Sequence, residues 1–350
     1  MVSNSKPNLI IRADAGAKIG SGHLMRSFAL AQNWRAETGG AVIFITNCES
    51  VALREKLKNE AFEIVEIENS YPHPTDFAVM QKILKNYPRV WCVVDGYHFD
   101  MTFHGLIRQS GNQILVIDDT AHLSFYNADA ILNQNINADE LHYNCPKDTI
   151  LLFGTDYALL RGEFSKWRNW QRISPTTARK ILITMGGSDF HNQTLKAIRA
   201  LGRLKIEHLD VKAVVGANNP HLSDLQKAID ESGIYIELIC AAENMAELMA
   251  WADVAIAAAG STCWEMALLQ LPCILLITAE NQTGIADGLH KKGFAENLGW
   301  FEQISETDLI KSLSEILPAA DQRRKMSETG RGIVDGRGAA RVVEFLSNHS

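Results

Sequence analysis

Short apolar runs alternate along the whole chain with segments in which apolar residues recur every three or four positions. In the first half the runs lie at residues 9–11, 41–46, 62–67, 89–95 and 113–119, with shorter ones at 130–132 and 149–152. In the second half they lie at residues 180–184, 211–215, 234–238, 254–257 and 273–277. Runs this apolar are typical of strands buried on both faces, and the intervening segments have the period of amphipathic helices. The pattern therefore predicts parallel sheets covered by helices, in an α/β fold.

A polar segment interrupts this alternation near the middle of the chain. Residues 167–179 contain Pro175 and no long periodicity, which indicates a domain boundary. The 350 residues suffice for a hydrophobic core on each side of it. We therefore predict two Rossmann-like domains that face a cleft, one over residues 1–172 and the other over residues 173–350. The last helices are predicted near residues 306–317 and 321–346.

Residues 8–34 join a buried strand, a glycine-containing loop and a helix. The loop holds Gly16, Gly20 and Gly22, and the helix opens at His23. The glycines fit neither the dinucleotide-binding pattern nor the P-loop, and we interpret them as letting the backbone approach a substrate. Amide groups in the first turn of a helix carry partial positive charge, which disfavours an imidazolium there. His23 is therefore predicted to be neutral at about pH 7 and to act as a catalytic base.

Acidic side chains follow several predicted strands of the first half. They are Asp14, Asp95, Asp118 and Asp119, and Tyr97 comes shortly after Asp95. Because the carboxyl ends of parallel strands meet at one edge of a sheet, where ligands bind, we expect these side chains to converge with His23 on one pocket. Each aspartate taken singly could instead cap a helix. The recurrence of acids at the same edge favours the pocket.

The first half also contains histidines that raise the alternative of a metal site. His98, His104 and His122 could be combined with Asp118 and Asp119 as ligands. The histidines lack a local ligand spacing such as His-x-x-x-His. We therefore expect no metal ion and no other cofactor.

Two glycine-containing loops in the second half each follow a predicted strand and precede a predicted helix. One comprises Gly186, Gly187 and Ser188, and the other comprises Gly260, Ser261 and Thr262. Backbone amides at a helix N-terminus bind phosphate groups, and small residues let a ligand approach closely. Both loops are therefore predicted to bind a diphosphate. The first loop continues into Asp189, whose charge would oppose phosphate unless the carboxylate caps the helix.

Composition narrows the classes of partner. Hydrophobic residues make up 46% of the chain and charged residues 21%, which is ordinary for a soluble enzyme. The net charge of −7, without clustered lysine and arginine, disfavours a nucleic acid partner.

Six scattered cysteines without a Cys-x-x-Cys pair favour reduced thiols. The first eight residues lack the apolar region of a leader, and no apolar run approaches the roughly 18 residues of a membrane span, so we expect a cytoplasmic protein.

Several motifs are specific when they are taken together. They are Arg-Ala-Asp at residues 12–14, Ile-Gly-x-Gly-His-x-Met-Arg at 19–26, Leu-Leu-Phe-Gly-Thr-Asp-Tyr-Ala-Leu-Leu-Arg-Gly-Glu-Phe at 151–164, Gly-Gly-Ser-Asp at 186–189, Ala-Gly-Ser-Thr-Cys-Trp-Glu at 259–265 and Asn-Gln at 281–282. In these motifs the chain resembles the UDP-sugar hydrolase family of pseudaminic acid biosynthesis. That family is similar in fold to the two-domain nucleotide-sugar glycosyltransferases of the MurG kind, the GT-B fold. The resemblance covers both halves and implies that the last helices pack back on the first domain.

The resemblance also implies where a UDP-sugar would bind. The second domain would hold UDP with its two glycine loops, and Glu265 would bind the ribose hydroxyls. Thr262-x-x-Glu265 also fits a helix capping box, which leaves a structural alternative for that residue. The sugar would meet residues at the edges of both domains: Asn281 and Gln282 in the second, and Arg12, Gly22, Tyr97 and the strand-end acids in the first.

The implied activity is a metal-independent, inverting hydrolysis of a UDP-sugar. His23 would activate the water that attacks the anomeric carbon, and backbone amides would stabilise the leaving diphosphate. The implied substrate is UDP-2,4-diacetamido-2,4,6-trideoxy-β-L-altropyranose, although the motifs specify the nucleotide better than the sugar. Two alternatives stay open: a GT-B glycosyltransferase with a UDP-sugar donor, and a UDP-sugar-binding protein without turnover. We expect a monomer, and the sequence leaves the oligomeric state open.

Overall fold

The computed structural model describes residues 8–16, 19–204, 206–217 and 219–349. The chain divides into two compact units. The first unit comprises the chain up to Gly162 together with the segment from Gly336, and the second unit comprises Glu163–Asp335. Each unit contains a parallel sheet, which confirms the predicted α/β class with two Rossmann-like domains.

Strands and helices alternate in the first unit. In chain order they are β1 (Leu9–Ala13), α1 (Gly22–Thr38), β2 (Val42–Thr46), α2 (Val51–Asn59), β3 (Glu63–Glu66), α3 (Pro74–Asn86), β4 (Trp91–Asp95), α4 (Met101–Gln109), β5 (Gln113–Ile117), β6 (Ala130–Asn133) and β7 (Ile150–Phe153). The described strands pair in parallel in the order β3-β2-β1-β4-β5-β6-β7. The order reverses direction between β1 and β4, where Ala13 pairs with Asp95. Ligands bind beyond the carboxyl ends of strands at such a reversal, so this pair of strands positions the site.

Apolar residues cover the sheet of the first unit on both faces. Successive side chains of a strand point to opposite faces, and β1 is buried along its whole length. Ile11 belongs to the cluster that contains Phe28 and Trp34 of α1, whereas Ile10 belongs to the cluster that contains Met80 of α3. Full burial of such a side chain contributes about 1.5–3 kcal/mol. β1, one of the continuous apolar runs seen in the sequence, is therefore a central strand of the sheet.

The second unit repeats this architecture. In chain order its elements are β8 (Lys180–Thr184), α5 (Gln193–Gly202), β9 (Asp210–Val215), α6 (Leu222–Ser232), β10 (Tyr235–Cys240), α7 (Met245–Trp251), β11 (Val254–Ala258), α8 (Thr262–Leu268), β12 (Cys273–Ile277), α9 (Thr283–Lys292), β13 (Ala295–Trp300), α10 (Glu306–Ile316) and α11 (Ala320–Arg331). The strands pair in parallel in the order β10-β9-β8-β11-β12-β13. This is the Rossmann order, and it reverses between β8 and β11. The two glycine loops follow these two strands.

Residues 163–172 attach to the second unit, which places the division earlier than the predicted boundary after residue 172. Glu163 Oε1 accepts a hydrogen bond from the backbone N–H of Met245 at 2.9 Å. Arg172 donates to backbone carbonyls at the ends of α7 and α8, including that of Met249 at 2.7 Å and that of Leu269 at 3.1 Å. The guanidinium satisfies carbonyls that the helices leave open, so the segment before it stays with the second unit.

The C-terminal helices belong to different units. α10 and α11 lie in the second unit, whereas the last helix, α12 (Gly338–Asn348), lies in the first. Trp91 Nε1 donates to the Leu346 carbonyl at 2.9 Å, and Val342 and Leu346 join the same core as α1. The single helix predicted over residues 321–346 is interrupted, and the interruption contains Gly336 at a φ of 76°. The chain returns to the first unit only after that turn.

Replacement of Gly338 by alanine tests how α12 is held. A Cβ at this position would lie 2.3 Å from the Ala158 carbonyl oxygen and 2.5 Å from the Tyr157 carbonyl carbon, so the backbone would have to move. We expect Gly338→Ala to lower the free energy of unfolding by about 1–3 kcal/mol in urea denaturation. Gly105→Ala in α4 is the matched control, because a Cβ there meets ordinary contacts no closer than 3.7 Å. Equal stability of both variants would contradict the packing of α12 on residues 157–158.

Candidate active site

The carboxylate of Asp95 lies at the centre of the site in the first unit. Asp95 ends β4 and is fully buried. It contacts His23 Nδ1 at 2.6 Å, Arg26 Nε and Nη2 at 2.7 Å each, and Ser27 Oγ at 3.3 Å. Residues three and four apart lie on the same face of a helix, so these three positions of α1 reach one carboxylate. Asp95 therefore joins the start of α1 to the end of β4.

This contact fixes the orientation of the His23 ring. α1 begins at Gly22, which places His23 in the first helical turn as the sequence indicated. Its Nδ1 lies 2.6 Å from Asp95 and 3.2 Å from Arg26 Nη2. The shorter contact, to a carboxylate, assigns the proton to Nδ1, which then donates to Asp95. Nε2 carries the lone pair and can accept a proton from a substrate or water.

The charges around Asp95 keep it ionised. Burial alone would raise the pKa of this carboxyl, but the charge of Arg26 and the contact with His23 lower it to about 2. The pKa of Arg26 is raised well above its ordinary value by Asp95 and Asp119, which outweigh the effect of burial. Asp95 is therefore a carboxylate at neutral pH and can stabilise a positive charge on His23.

Tyr97 and Asp119 extend the network to the end of the next strand. Arg26 Nη1 donates to Asp119 Oδ2 at 3.0 Å, and the Tyr97 hydroxyl donates to Asp119 Oδ1 at 2.6 Å. The Tyr97 ring meets the His23 ring edge-on, with centroids 4.7 Å apart. Burial and the charge of Asp119 raise the pKa of Tyr97, so it stays a phenol at neutral pH. The loops after β4 and β5 thus confine the ring of His23. The sequence predicted that Asp14 and Asp118 would converge on His23 together with Asp95, Tyr97 and Asp119, but the described contacts of Asp14 and Asp118 are with other residues.

Arg12 and Asp14 form a second buried network at the end of β1. Arg12 is fully buried, contacts Asp14 through both terminal nitrogens, and donates to Asp76 from Nε at 3.2 Å and from Nη2 at 2.6 Å. Asp14 also accepts from the Asn47 N–H at 2.6 Å. Burial would raise the pKa of Asp14, but His98 and Arg12 hold it well below its usual range. Arg12 therefore points its donors at the protein, and its predicted contact with substrate stays a prediction.

Asp118 holds the loop after β5. Its carboxylate accepts the backbone N–H groups of Thr120 at 2.9 Å and Ala121 at 2.7 Å, and its Oδ2 lies 2.9 Å from His122 Nδ1. The sequence left open that an acid at a strand end caps the helix that follows. The helix after β4 is α4, and its N-cap is Asp100. Asp118 shapes the loop that carries Asp119.

Glycines close the loop between β1 and α1 and begin the helix. Gly16 and Gly20 exchange backbone hydrogen bonds of 3.2 and 2.9 Å, and Gly20 has a φ of 71°. Gly22 is exposed at the start of α1, and a Cβ there would meet no described atom within 4 Å. The position leaves room for a ligand beside the His23 backbone.

The histidines considered as metal ligands have separate surroundings. His98 Nε2 lies 3.2 Å from Asp14 Oδ2, and His122 pairs with Asp118. His104 is fully buried in α4, and burial lowers its pKa to about 4. Among the described residues, no three or more His, Cys, Asp or Glu side chains form a group suited to a metal ion.

In the second unit, Asp189 bears on the prediction for the first glycine loop. Its carboxylate accepts the backbone N–H groups of Gln193 at 2.8 Å and Thr194 at 2.9 Å, at the start of α5. Asp189 therefore caps α5, which is the condition under which its charge would not oppose a phosphate, and the predicted binding of a diphosphate by Gly186, Gly187 and Ser188 stays a prediction. Burial raises the pKa of Asp189, against the effect of the hydrogen bonds from Thr194 and Gln193. The part of this loop that can meet an anion is residues 186–188.

The second glycine loop resolves the alternative for Glu265. α8 begins at Thr262, and Ser261 occupies the N-cap without a side-chain capping bond to any described residue. A Thr262-x-x-Glu265 capping box would need Thr262 outside the helix. Glu265 lies in the first turn of α8, and its predicted contact with the ribose stays a prediction.

Asn281 and Gln282 lie in a short turn before α9. Gln282 Oε1 accepts the Thr278 backbone N–H at 2.8 Å and its hydroxyl at 3.1 Å. Gln282 thus closes the loop after β12, and the predicted contacts of both side chains with the sugar stay predictions.

The sequence reasoning missed Arg26 and Asp76. Arg26 is part of the N-terminal motif and lies three residues after His23, so helical spacing could have identified it. Asp76 lies 64 positions from Arg12, and no local pattern connects the two. Only the fold brings α3 to the end of β1.

Comparison with known proteins finds a matching family model for the second half of the chain and similar proteins along most of its length. Residues 180–336 match the family model of the glycosyltransferase family 28 C-terminal domain. The chain is 26% identical over 339 residues to the spore coat polysaccharide biosynthesis protein SpsG of Bacillus subtilis, covering 97% of each chain. It is 26% identical over 291 residues to the UDP-2,4-diacetamido-2,4,6-trideoxy-β-L-altropyranose hydrolase of Campylobacter jejuni, covering 82% of this chain and 97% of that protein.

Solved structures extend the likeness to the whole fold. The crystal structure of MurG from Acinetobacter baumannii superposes with a TM-score of 0.66 at 15% identity, covering 98% of this chain and 99% of that one. At this identity the likeness concerns the fold. The chain is therefore similar to the UDP-2,4-diacetamido-2,4,6-trideoxy-β-L-altropyranose hydrolase of Campylobacter jejuni and has a MurG-like GT-B fold, and its residues 180–336 match the family model of the glycosyltransferase family 28 C-terminal domain.

Proposed function

We propose that this protein hydrolyses a UDP-sugar without a metal ion and with inversion at the anomeric carbon. The observation that carries the proposal is the contact between His23 Nδ1 and the buried carboxylate of Asp95. It leaves Nε2 as a proton acceptor on a ring that Tyr97 also confines. The Campylobacter jejuni relative is named as a hydrolase of a UDP-sugar, which supports the same class of reaction here.

In the proposed reaction, His23 Nε2 takes a proton from water while the water oxygen bonds to the anomeric carbon. The bond from that carbon to the diphosphate oxygen breaks, and UDP leaves with the bonding electrons. Asp95 stabilises the imidazolium that forms, and Arg26 keeps Asp95 ionised. Attack from the face opposite UDP inverts the configuration.

The second unit holds UDP in this proposal. Residues 186–188 and 260–262 bind the diphosphate, because they follow β8 and β11, where the strand order reverses. Glu265 accepts the ribose hydroxyls. Asn281 and Gln282 lie at the sugar end.

The first unit supplies the base and the sugar contacts in this proposal. Gly22 directly precedes His23, the Tyr97 ring packs edge-on against the His23 ring, and Asp119 accepts a hydrogen bond from the Tyr97 hydroxyl. In the proposal these three residues meet the sugar. Arg12, Asp14 and Asp118 hold the loops that carry these groups, and their own predicted contacts with the sugar stay predictions.

A glycosyltransferase is the second candidate, and the family 28 domain and the MurG-like fold favour it. A transferase would use a sugar or lipid acceptor in place of water. Release of UDP from a UDP-sugar without an acceptor distinguishes the hydrolase, and a binding protein releases none. A cytoplasmic location, a monomeric state and the lack of a nucleic acid partner stay predictions. Within the described residues, no helix has the length and apolar character needed to cross a membrane.

Replacement of the base tests the mechanism. We expect His23→Ala to lower kcat for UDP release by about a hundredfold or more, the usual scale for loss of a general base. Its affinity for UDP, measured by calorimetry, should be unchanged, because UDP binds to the second unit. His142→Ala removes an exposed histidine of the first unit and is the control. An equal loss of UDP affinity and rate in His23→Ala would make His23 a binding residue instead.

Chelation tests the independence from metal. Each of three carboxylates, those of Asp14, Asp95 and Asp119, is paired with a buried arginine. The arginine already neutralises the negative charge that would attract a divalent cation. We expect UDP release to be unchanged after treatment with EDTA and buffer exchange. Loss of activity that Mg²⁺ restores would show that these acids hold a metal ion.

The identity of the sugar forms a separate prediction. The fixed polar groups of Tyr97 and Asp119 suit amide and hydroxyl groups, and Ile19, which is 46% exposed, suits methyl groups. We propose UDP-2,4-diacetamido-2,4,6-trideoxy-β-L-altropyranose as the substrate. UDP-N-acetylglucosamine lacks the second acetamido group and keeps a 6-hydroxyl, so its kcat/KM should be at least about a hundredfold lower. Comparable values in the UDP-release assay would overturn the sugar assignment and leave the hydrolase proposal standing.

A further inference from the structure

His122 connects the loop after β5 to the loop after β4. Its Nδ1 lies 2.9 Å from Asp118 Oδ2, and its Nε2 lies 2.9 Å from the backbone carbonyl oxygen of Tyr97. The side chain is 32% exposed, so it lies at the edge of the buried network and not inside it. Nothing in the proposed reaction described above uses this residue.

The two partners of His122 determine its charge. A carboxylate and a carbonyl are both acceptors, whereas a neutral imidazole has only one N–H. Either neutral tautomer would turn a nitrogen lone pair toward an oxygen lone pair at 2.9 Å. The Thr120 hydroxyl lies 3.0 Å from Nδ1 and could donate to it, but only in the tautomer that turns Nδ1 against Asp118. The imidazolium alone satisfies both contacts.

His122 hydrogen-bonds to Tyr97, and the Tyr97 ring packs against the ring of His23, the proposed base. Tyr97 is fixed through its carbonyl by His122 and through its hydroxyl by Asp119. Its ring lies edge-on to His23 at 4.7 Å and to His122 at 5.7 Å. Loss of the bond to the carbonyl would therefore loosen the ring that packs against His23.

The groups that face His122 favour its positive charge. Asp118 and Asp119 come from its own loop, and the hydrogen bond to Asp118 raises the pKa of His122, against the effect of burial. His104 faces it from α4, and burial lowers the pKa of His104 to about 4, so that ring is neutral near pH 7. Tyr97 and Tyr126 also face it, and burial raises the pKa of both phenols. No described group in this set opposes an imidazolium at neutral pH.

We propose that His122, as an imidazolium, is a positioning residue for the reaction: it clamps Tyr97 against His23, and the clamp opens when His122 loses a proton. This inference rests on the proposed hydrolysis. A group whose folded-state pKa is raised contributes fully below its ordinary pKa of about 6.5, and its contribution is lost as pH rises through the raised value. kcat should therefore fall on the alkaline side of neutrality as the clamp opens.

The kinetic test is His122→Gln, which keeps one donor and removes the titratable charge. We expect kcat at about pH 7 to fall about tenfold and the alkaline fall in the pH profile of kcat to disappear, with UDP affinity unchanged. His122→Arg keeps a permanent charge and several donors, so it should restore part of kcat and also lack the alkaline fall. His142→Gln, an exposed histidine of the same unit, should reproduce the wild-type profile.

A spectroscopic test separates this inference from the proposed function. In ¹H–¹⁵N spectra of the histidine rings at about pH 7, His122 should carry a proton on both nitrogens, with a pKa above the ordinary value of about 6.5. In His122→Gln, without any substrate, the ring signals of His23 should shift. A neutral His122 ring at about pH 7, or unchanged His23 signals together with an unchanged alkaline profile, would overturn the clamp. If the protein turned over no UDP-sugar, the proposed function would fail and the ring signals would still decide the clamp.

Discussion

The buried carboxylate of Asp95 is the group on which the site of the first unit depends. Burial of an unpaired ionised carboxylate costs several kcal/mol, and Asp95 is fully buried. Arg26 neutralises it, and His23 and Ser27 complete its hydrogen bonds. Because all three partners lie on α1, compensation of one charge sets the rotation of the helix and the direction of the His23 ring. The same contacts therefore serve folding and, in the proposed reaction, catalysis.

A second arginine, Arg12 on the neighbouring strand β1, compensates buried carboxylates in the same way. Arg26 is shared by Asp95 and Asp119, and Arg12 is shared by Asp14 and Asp76. Removal of one partner of a buried ion pair leaves the other charge unpaired, which typically lowers the free energy of unfolding by about 3–5 kcal/mol. Most strand-end acids thus hold loops in place. In the proposal, the groups that meet the sugar lie at the edge of the networks, namely His23 Nε2, Tyr97, Asp119 and the exposed backbone of Gly22.

The two units divide the proposed chemistry between them. Most of the second unit matches the family 28 C-terminal domain model, and both of its glycine loops follow the strands where the sheet order reverses. Asp189 occupies the first amides of α5, so in the proposal the diphosphate is bound by the loops and not by that helix start. Nucleotide binding of this kind suits hydrolases and transferases alike. In the proposal, the difference lies in the first unit, where the His23–Asp95 pair activates water.

The sequence by itself determined the alternation of strands and helices, the position of His23 in a first helical turn and the acids at strand ends, because apolar periodicity and parallel-strand geometry are local or repeated constraints. Only the tertiary structure decided the partners of those acids. Arg12 meets Asp76 across 64 positions, and α12 joins the first unit while α11 stays in the second. Charge compensation in a buried site depends on which side chains the fold brings within about 3 Å of each other. The spacing of residues along the sequence does not specify these distances.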